Sequence, residues 1–217
     1  MIRLIRHNRF FFILLLLYFI TGAALLIYFE KGEIELWVNR HHHFWNDYFF
    51  SRITFLGDGY FALALVLVLL LLRSVYQAAV LGLSVLSTSL PVQSCKRFFF
   101  SHEPRPLMYF KDYPDIHLVN DVEVHSYHSF PSGHSAQAFA IFLSLALLTK
   151  NKTFAPTFFS LAFLTAYSRV YLFQHFFIDT YFGAFFAVIM TFITYIILTK
   201  SRLGTAEKFQ TGLLNRK

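Results

Sequence analysis

Between Arg9 and Glu30 the chain runs through FFFILLLLYFITGAALLIYF, twenty residues without a charge. At about 1.5 Å per residue, a helix of that length crosses a hydrocarbon core of roughly 30 Å. A soluble fold has little use for a helix that is apolar on every face. The wider composition agrees: 14% of the 217 residues are charged and 56% are apolar, against about 25% charged in an ordinary soluble domain. No long polar stretch is left over for a second domain. The expectation is a single membrane domain, 1–217, of all-α class.

Apolar runs at 10–29, 54–72, 74–95, 131–149, 153–171 and 176–199 predict six transmembrane helices, with the polar segment 96–130 capping one end of the bundle. The basic preface Arg3, Arg6 and Arg9 resembles the start of a signal peptide. The apolar run exceeds the usual length, however, and no clean small-x-small cleavage site follows, so an uncleaved helix is expected. The second run is the weakest. It needs residues 54–59 to complete a crossing, which puts Asp58 near the water interface, with Gly57 and Gly59 suited to a bend. Pro91, near the end of the third run, can be tolerated as a kink. Cys95 is the sole cysteine, which excludes an intramolecular disulfide and any thiolate cluster.

Six crossings put both termini on one side, together with the turns at Arg73 and at Lys150 to Lys152. That side collects eleven of the 19 Lys and Arg residues (Arg3, Arg6, Arg9, Arg73, Lys150, Lys152, Lys200, Arg202, Lys208, Arg216 and Lys217) and one of the 12 acids, Glu207. By the positive-inside tendency it is cytoplasmic. The net charge of +7 is then a property of the inner face, and no nucleic-acid partner is needed to explain it.

Three polar clusters interrupt the apolar background: KRFFFSHEPRP at 96–106, FPSGHS at 130–135 and SRVYLFQHFFID at 168–179. The first follows run three, the second opens run four and the third joins runs five and six, so all three fall at the same end of the bundle. They bring together Lys96, Arg97, Arg105, Arg169, His134, His175 and Asp179, an expensive set near lipid unless the groups serve each other or a ligand. The excess of fixed cations calls for an anion. Arginine's planar fork suits phosphate, and a helix opening at Pro131-Ser132-Gly133 offers unpaired N–H groups. His175 and Asp179, four apart, can share a helix face, so that the carboxylate holds one imidazole nitrogen and leaves the other as a nucleophile. His134 can protonate a departing alkoxide.

These clusters resemble the type 2 phosphatidic acid phosphatase family, which shares an ancestor with the vanadium-dependent haloperoxidases. The matching residues are Pro131-Ser132-Gly133-His134 and Ser168-Arg169, His175 and Asp179, and the likeness extends over roughly residues 50–200. It implies a phosphohistidine at His175, with Asp179 orienting the ring and His134 as general acid. Lys96, Arg105, Arg169, Ser132 and the Gly133 N–H would hold the phosphate oxygens, and neither metal nor other cofactor would be required. One departure stands out. The family's Lys sits seven residues before the Arg of Arg-Pro, where this chain has Phe98; Arg97 is eight before and Lys96 nine, and Lys96 is the preferred replacement.

The resulting expectation is a lipid phosphatase in a bacterial-type inner membrane, with its site facing the periplasm or cell exterior. The family's substrates include phosphatidylglycerophosphate, undecaprenyl diphosphate, phosphatidic acid and the phosphates of lipid A. A lipid phosphotransferase using the same intermediate, and a non-catalytic protein binding anionic lipids, are the alternatives. His41, His42 and His43 invite a metal reading, but Phe44, Trp45, Tyr48 and Phe49 beside them suggest a segment lying at the membrane interface. His117, His125 and His128 fall in the capping segment and read as solvated.

Overall fold

The structure, a computed structural model, describes residues 7–120 and 122–215. Arg3, Arg6, Arg216 and Lys217, counted above among the cytoplasmic charges, lie outside the described residues. The remainder is helical, with one isolated antiparallel bridge between Pro104 and Tyr127 and no strand among the described residues. The principal helices are α1 (Arg9–Tyr28), α2 (Glu33–Arg40), α3 (Phe44–Ile53), α4 (Gly59–Leu72), α5 (Val75–Ser94), α6 (Gly133–Leu148), α7 (Ala155–Tyr171) and α8 (Phe177–Lys200).

Helix α6 is the hub, packed against α5, α7 and α8. Its Ala138, Phe139, Ala140, Ile141 and Leu143 are wholly buried, as expected of a helix that is apolar all round and surrounded by other helices. Helix α1 lies outside this group. It stacks Tyr18 on Phe139 at 5.4 Å and exposes Leu16, Leu17 and Ile20 on its other face. Helices α4 and α5 start on ordinary capping chemistry, a side-chain acceptor taking an orphan first-turn N–H. Asp58 accepts from Tyr60 N at 2.8 Å to open α4, and Ser74 accepts from Gln77 N at 3.4 Å to open α5.

Among the described residues, three helices are long and apolar enough to cross a membrane: Arg9–Tyr28, Val75–Phe99 and Phe177–Lys200. The pair Phe44–Gly57 and Gly59–Leu72, bent by 55°, meets the same test when taken together. Helices α6 and α7 have 16 and 17 residues, roughly 24 to 26 Å at 1.5 Å per residue, and cover a full core only with the residues flanking them.

The 54–72 segment bends at Gly57 and Gly59, as their sequence suggested. Residues Thr54–Gly57 form a 3₁₀ turn and the helix proper starts at Gly59. Gly57 has a packing reason to be glycine: a Cβ there would stand 2.6 Å from the carbonyl oxygen of His134. Helix α5 contains Pro91 and then widens into a π turn, Cys95–Phe99, closed by the bond from Phe100 N to Cys95 O at 2.9 Å. The segment 96–130 caps the bundle as a folded structure. Arg105 N donates to Ser126 O at 2.8 Å and Ser129 N to Glu103 O at 3.2 Å, closing its two ends on each other.

Candidate active site

Helix α3 with the turn after it, the end of α5 with its π turn, the start of α6, the link before α8 and Val119, Asn120, Val122, Glu123 and His125 of the capping segment surround a cavity of about 930 Å³. Its wall includes Lys96, Arg105, Gly133, His134, Arg169 and His175. Topology alone explains the meeting. The π turn ends α5, Gly133 and His134 open α6, Arg169 closes α7, and His175 lies in the link to α8.

The pair at its centre is tightly held. His175 and Asp179 are each 2% exposed, with Nδ1 of the ring 3.3 Å from Oδ2 of the carboxylate. His175 lies two residues before the helix begins, rather than on its first turn, and Asp179 is the third helical residue. The same Oδ2 accepts from Phe176 N at 3.0 Å and from the hydroxyl of Ser129 at 2.5 Å. A carboxylate can only accept, so the imidazole proton lies on Nδ1 and Nε2 keeps its lone pair. Burial, followed by the neighbouring charges of Lys96, Arg105 and Arg169, pushes the His175 pKa well below its ordinary value. The ring is therefore neutral near pH 7, the state in which Nε2 is nucleophilic.

Three cations face this pair. Lys96 is buried and spends one donor on the carbonyl of His128 at 2.9 Å. Arg105 gives Nε to the Tyr127 carbonyl at 2.9 Å, and Nη1 to the backbone and side-chain oxygens of Gln174, both at 3.2 Å. Arg169 gives Nη1 to Thr54 Oγ1 at 2.7 Å, while its buried Nε has no hydrogen-bond partner. Each cation is anchored by neutral oxygens, and among the described residues none of the three has a carboxylate within ion-pair distance. Their charge is offset at longer range by Asp179 and Asp58, and buried cations without a close counter-ion favour an anionic ligand.

Arg97, the alternative to Lys96, is exposed and absent from the cavity wall. Ser132 is placed behind the wall: it is fully buried, its hydroxyl accepts from Ser135 N at 3.4 Å, and its N–H donates to the Asp179 carbonyl at 2.9 Å. Gly133, by contrast, lines the cavity, and a Cβ there would meet nothing within 4 Å. Ser129, Gln174 and Thr54 were missed in the sequence. Each acts across 50 or more residues of chain, and none carries a local pattern that would have revealed it.

The capping-segment histidines differ from expectation in one case, and one of them, His125, lines the cavity. His125 and His128 are exposed. His117 is tied down, stacked on His42 at 3.7 Å, with Nε2 3.0 Å from Asp47 Oδ2 and its backbone paired with Asn39. Among the described residues, no three His, Cys, Asp or Glu side chains are grouped as a metal site.

Comparison with known proteins bears on this geometry directly. The family model described as the PAP2 superfamily matches residues 77–203, which takes in Lys96, Arg105, His134, Arg169, His175 and Asp179. The chain belongs to the PAP2 superfamily. Among solved structures, the crystal structure of Aquifex aeolicus LpxE is similar with a TM-score of 0.68 at 29% identity, covering 79% of this chain and 98% of that one. A PAP2-type phosphatidylglycerolphosphate phosphatase from Bacillus subtilis, a transmembrane protein, superposes with a TM-score of 0.57 at 21% identity, covering 90% and 98%. No curated protein matches at a significant level. As a PAP2 superfamily member with helices apolar and long enough to cross a bilayer, the protein is an integral membrane protein.

Proposed function

We propose that the protein hydrolyses a phosphomonoester or diphosphate on a membrane lipid through a phosphohistidine, without a metal. The observation that carries this reading is the neutral, carboxylate-oriented His175 facing Lys96, Arg105 and Arg169 across one cavity. In the first step Nε2 of His175 attacks phosphorus, a P–N bond forms and the P–O bond to the lipid breaks. His134 delivers a proton to the departing oxygen. In the second step water attacks the phosphohistidine, His134 takes its proton, the P–N bond breaks and phosphate leaves. Asp179 holds the ring and stabilises the positive charge that it gains on phosphorylation. The three cations and the Gly133 N–H neutralise charge on the phosphoryl oxygens, which is where most of the catalytic work in phosphoryl transfer lies.

The reading includes six crossings, with α3 and α4 together forming the second, and with both termini on the cytoplasmic side of a bacterial-type inner membrane. The site would then face the periplasm or exterior. Phosphatidylglycerophosphate heads the substrate panel because one structural neighbour is named for it; undecaprenyl diphosphate, phosphatidic acid and lipid A phosphates complete it.

The test is phosphate release from that panel by detergent-purified protein in excess chelator, wild type against His175→Ala. Release from at least one lipid, indifferent to chelator and lost in the variant, is the expected result. Folded wild-type protein that releases nothing from any lipid would overturn the reading.

A further inference from the structure

Glu35 is a carboxyl group that the chemistry above does not use. It lies on α2, a short helix outside the candidate spans, yet it is only 2% exposed. Its Oε1 accepts from the backbone N–H of Phe177, the first residue of α8, at 2.6 Å. Burial pushes its pKa from 4.5 up to about 7, opposed by that hydrogen bond. A neutral Asn or Ser could satisfy one N–H at less desolvation cost, so a buried carboxyl here calls for a reason.

The surroundings supply it. Three successive N–H groups lead into α8, and each has its own acceptor: His175 N donates to Arg169 O at 3.1 Å, Phe176 N to Asp179 Oδ2 at 3.0 Å and Phe177 N to Glu35 Oε1 at 2.6 Å. The first two acceptors belong to the site itself. The third comes from the far side, through the stretch that also lays Lys31 Nζ 4.6 Å from the Phe176 ring centre and pairs Lys31 with Glu103 at 3.7 Å. A small cavity of about 110 Å³ behind the turn, lined by Lys31, Glu35, Phe176 and Phe177 among others, leaves the segment room to move if that acceptor is lost.

We infer that Glu35 is a positioning residue for phosphoryl transfer: by fixing Phe177 N–H it sets the turn on which His175 presents its imidazole to phosphorus. The inference rests on the phosphatase reading. It concerns how the nucleophile is aimed and leaves phosphate binding to the cations.

The experiment compares full-length wild type with Glu35→Gln, which keeps an oxygen acceptor of the same reach, and Glu35→Leu, which removes it. Glu35→Leu is expected to lower kcat at least tenfold with KM within threefold of wild type, whereas Glu35→Gln keeps kcat within threefold. A wild-type kcat in Glu35→Leu, or equal losses in both variants, overturns the inference. If Glu35→Leu does not fold, Glu35→Asp, one methylene short of the N–H, takes its place with the same expectation. A second readout separates this claim from the phosphatase reading: the rate of carbethoxylation of His175 by diethyl pyrocarbonate, followed by mass spectrometry. That rate needs no turnover. A change of threefold or more in Glu35→Leu but not in Glu35→Gln supports positioning even if no lipid is hydrolysed, and equal rates in all three proteins refute it.

Discussion

Gly183 lies on α8 one turn beyond Asp179, where the start of α6 crosses it. The crossing is close because two bonds stitch the helices together, Ser132 N to Asp179 O at 2.9 Å and Ser135 Oγ to Thr180 O at 2.7 Å. A Cβ on residue 183 would stand 2.5 Å from the Ser132 carbonyl oxygen, 3.3 Å from Ala136 N and 3.3 Å from Ser135 Cβ. Ordinary contact begins near 3.4 Å, so Gly183→Ala must drive the two helices apart by up to 0.9 Å, the difference between 3.4 and 2.5. The obstacle is backbone on both sides and cannot swing away. Overpacking of this kind costs about 1–3 kcal/mol. It also shifts the opening of α6, and with it Gly133 and His134, by a distance at which positioned catalysis falls roughly a hundredfold. The assay is kcat/KM for phosphate release by purified protein, with the thermal midpoint measured alongside. Gly133→Ala is the matched contrast. Nothing lies within 4 Å of its Cβ position, so its midpoint should stay at the wild-type value while KM rises, because the methyl group occupies the space assigned to phosphate. A Gly183→Ala protein with activity and midpoint both at the wild-type level would refute the claim that this crossing sets the site.

Ser129→Ala removes the hydroxyl that donates to Asp179 Oδ2 at 2.5 Å. A hydrogen bond to a charged group contributes about 1.5–3 kcal/mol, so kcat/KM should fall roughly ten- to a hundredfold with His175 itself unaltered; unchanged kinetics would remove Ser129 from the site. Glu35 makes stability depend on pH. Its carboxyl titrates at 4.5 when unperturbed and at about 7 in the fold, so between those values the folded chain holds a proton that the unfolded chain has released, and stability falls as pH rises. The full loss approaches about 3 kcal/mol above pH 7. Denaturation of wild type and Glu35→Gln from pH 4.5 to 8.5 should therefore show the variant gaining on the wild type as pH rises, and parallel curves would count against a perturbed Glu35.

Much of the framework was legible because membrane helices announce themselves by what they lack: the uncharged runs behind α1, α5 and α8 differ from the observed helices by a few residues at either end. Helices α2 and α3 were not legible. Phe44–Ile53 mixes Trp, Tyr and Phe with Asn, Asp and Arg, so it has no apolar run, and its placement depends on tertiary contacts such as the bond from Tyr171 OH to Asp47 at 2.5 Å. In the site, the pairing of His175 with Asp179 was readable from their closeness in sequence, although the helical turn expected to carry it is instead the link and first residues of α8. The choice between Lys96 and Arg97 was not, because counting residues assumes a uniform helix, and here a π turn intervenes before one side chain is buried and its neighbour exposed. Ser129 and Gln174 reach their partners only once the capping segment has folded back, which no short window of sequence records.

That folding back has a practical consequence. The bridge of Pro104 with Tyr127, the bond from Arg105 N to Ser126 O and the bond from Ser129 N to Glu103 O clamp the base of the capping segment beside the chemistry. The excursion between them also packs on the body: His117 clasps Asn39, His42 and Asp47, Tyr109 sets its ring 5.4 Å from Phe176, Phe110 lies 5.9 Å from Phe173, and Val119 and Val122 line the cavity. Its packing therefore reaches the turn that carries His175. Exchanging the excursion would disturb Phe173 and Phe176 on either side of that histidine, so a graft meant to change which headgroup is accepted must keep Tyr109 and Phe110 as well as the His117 clasp.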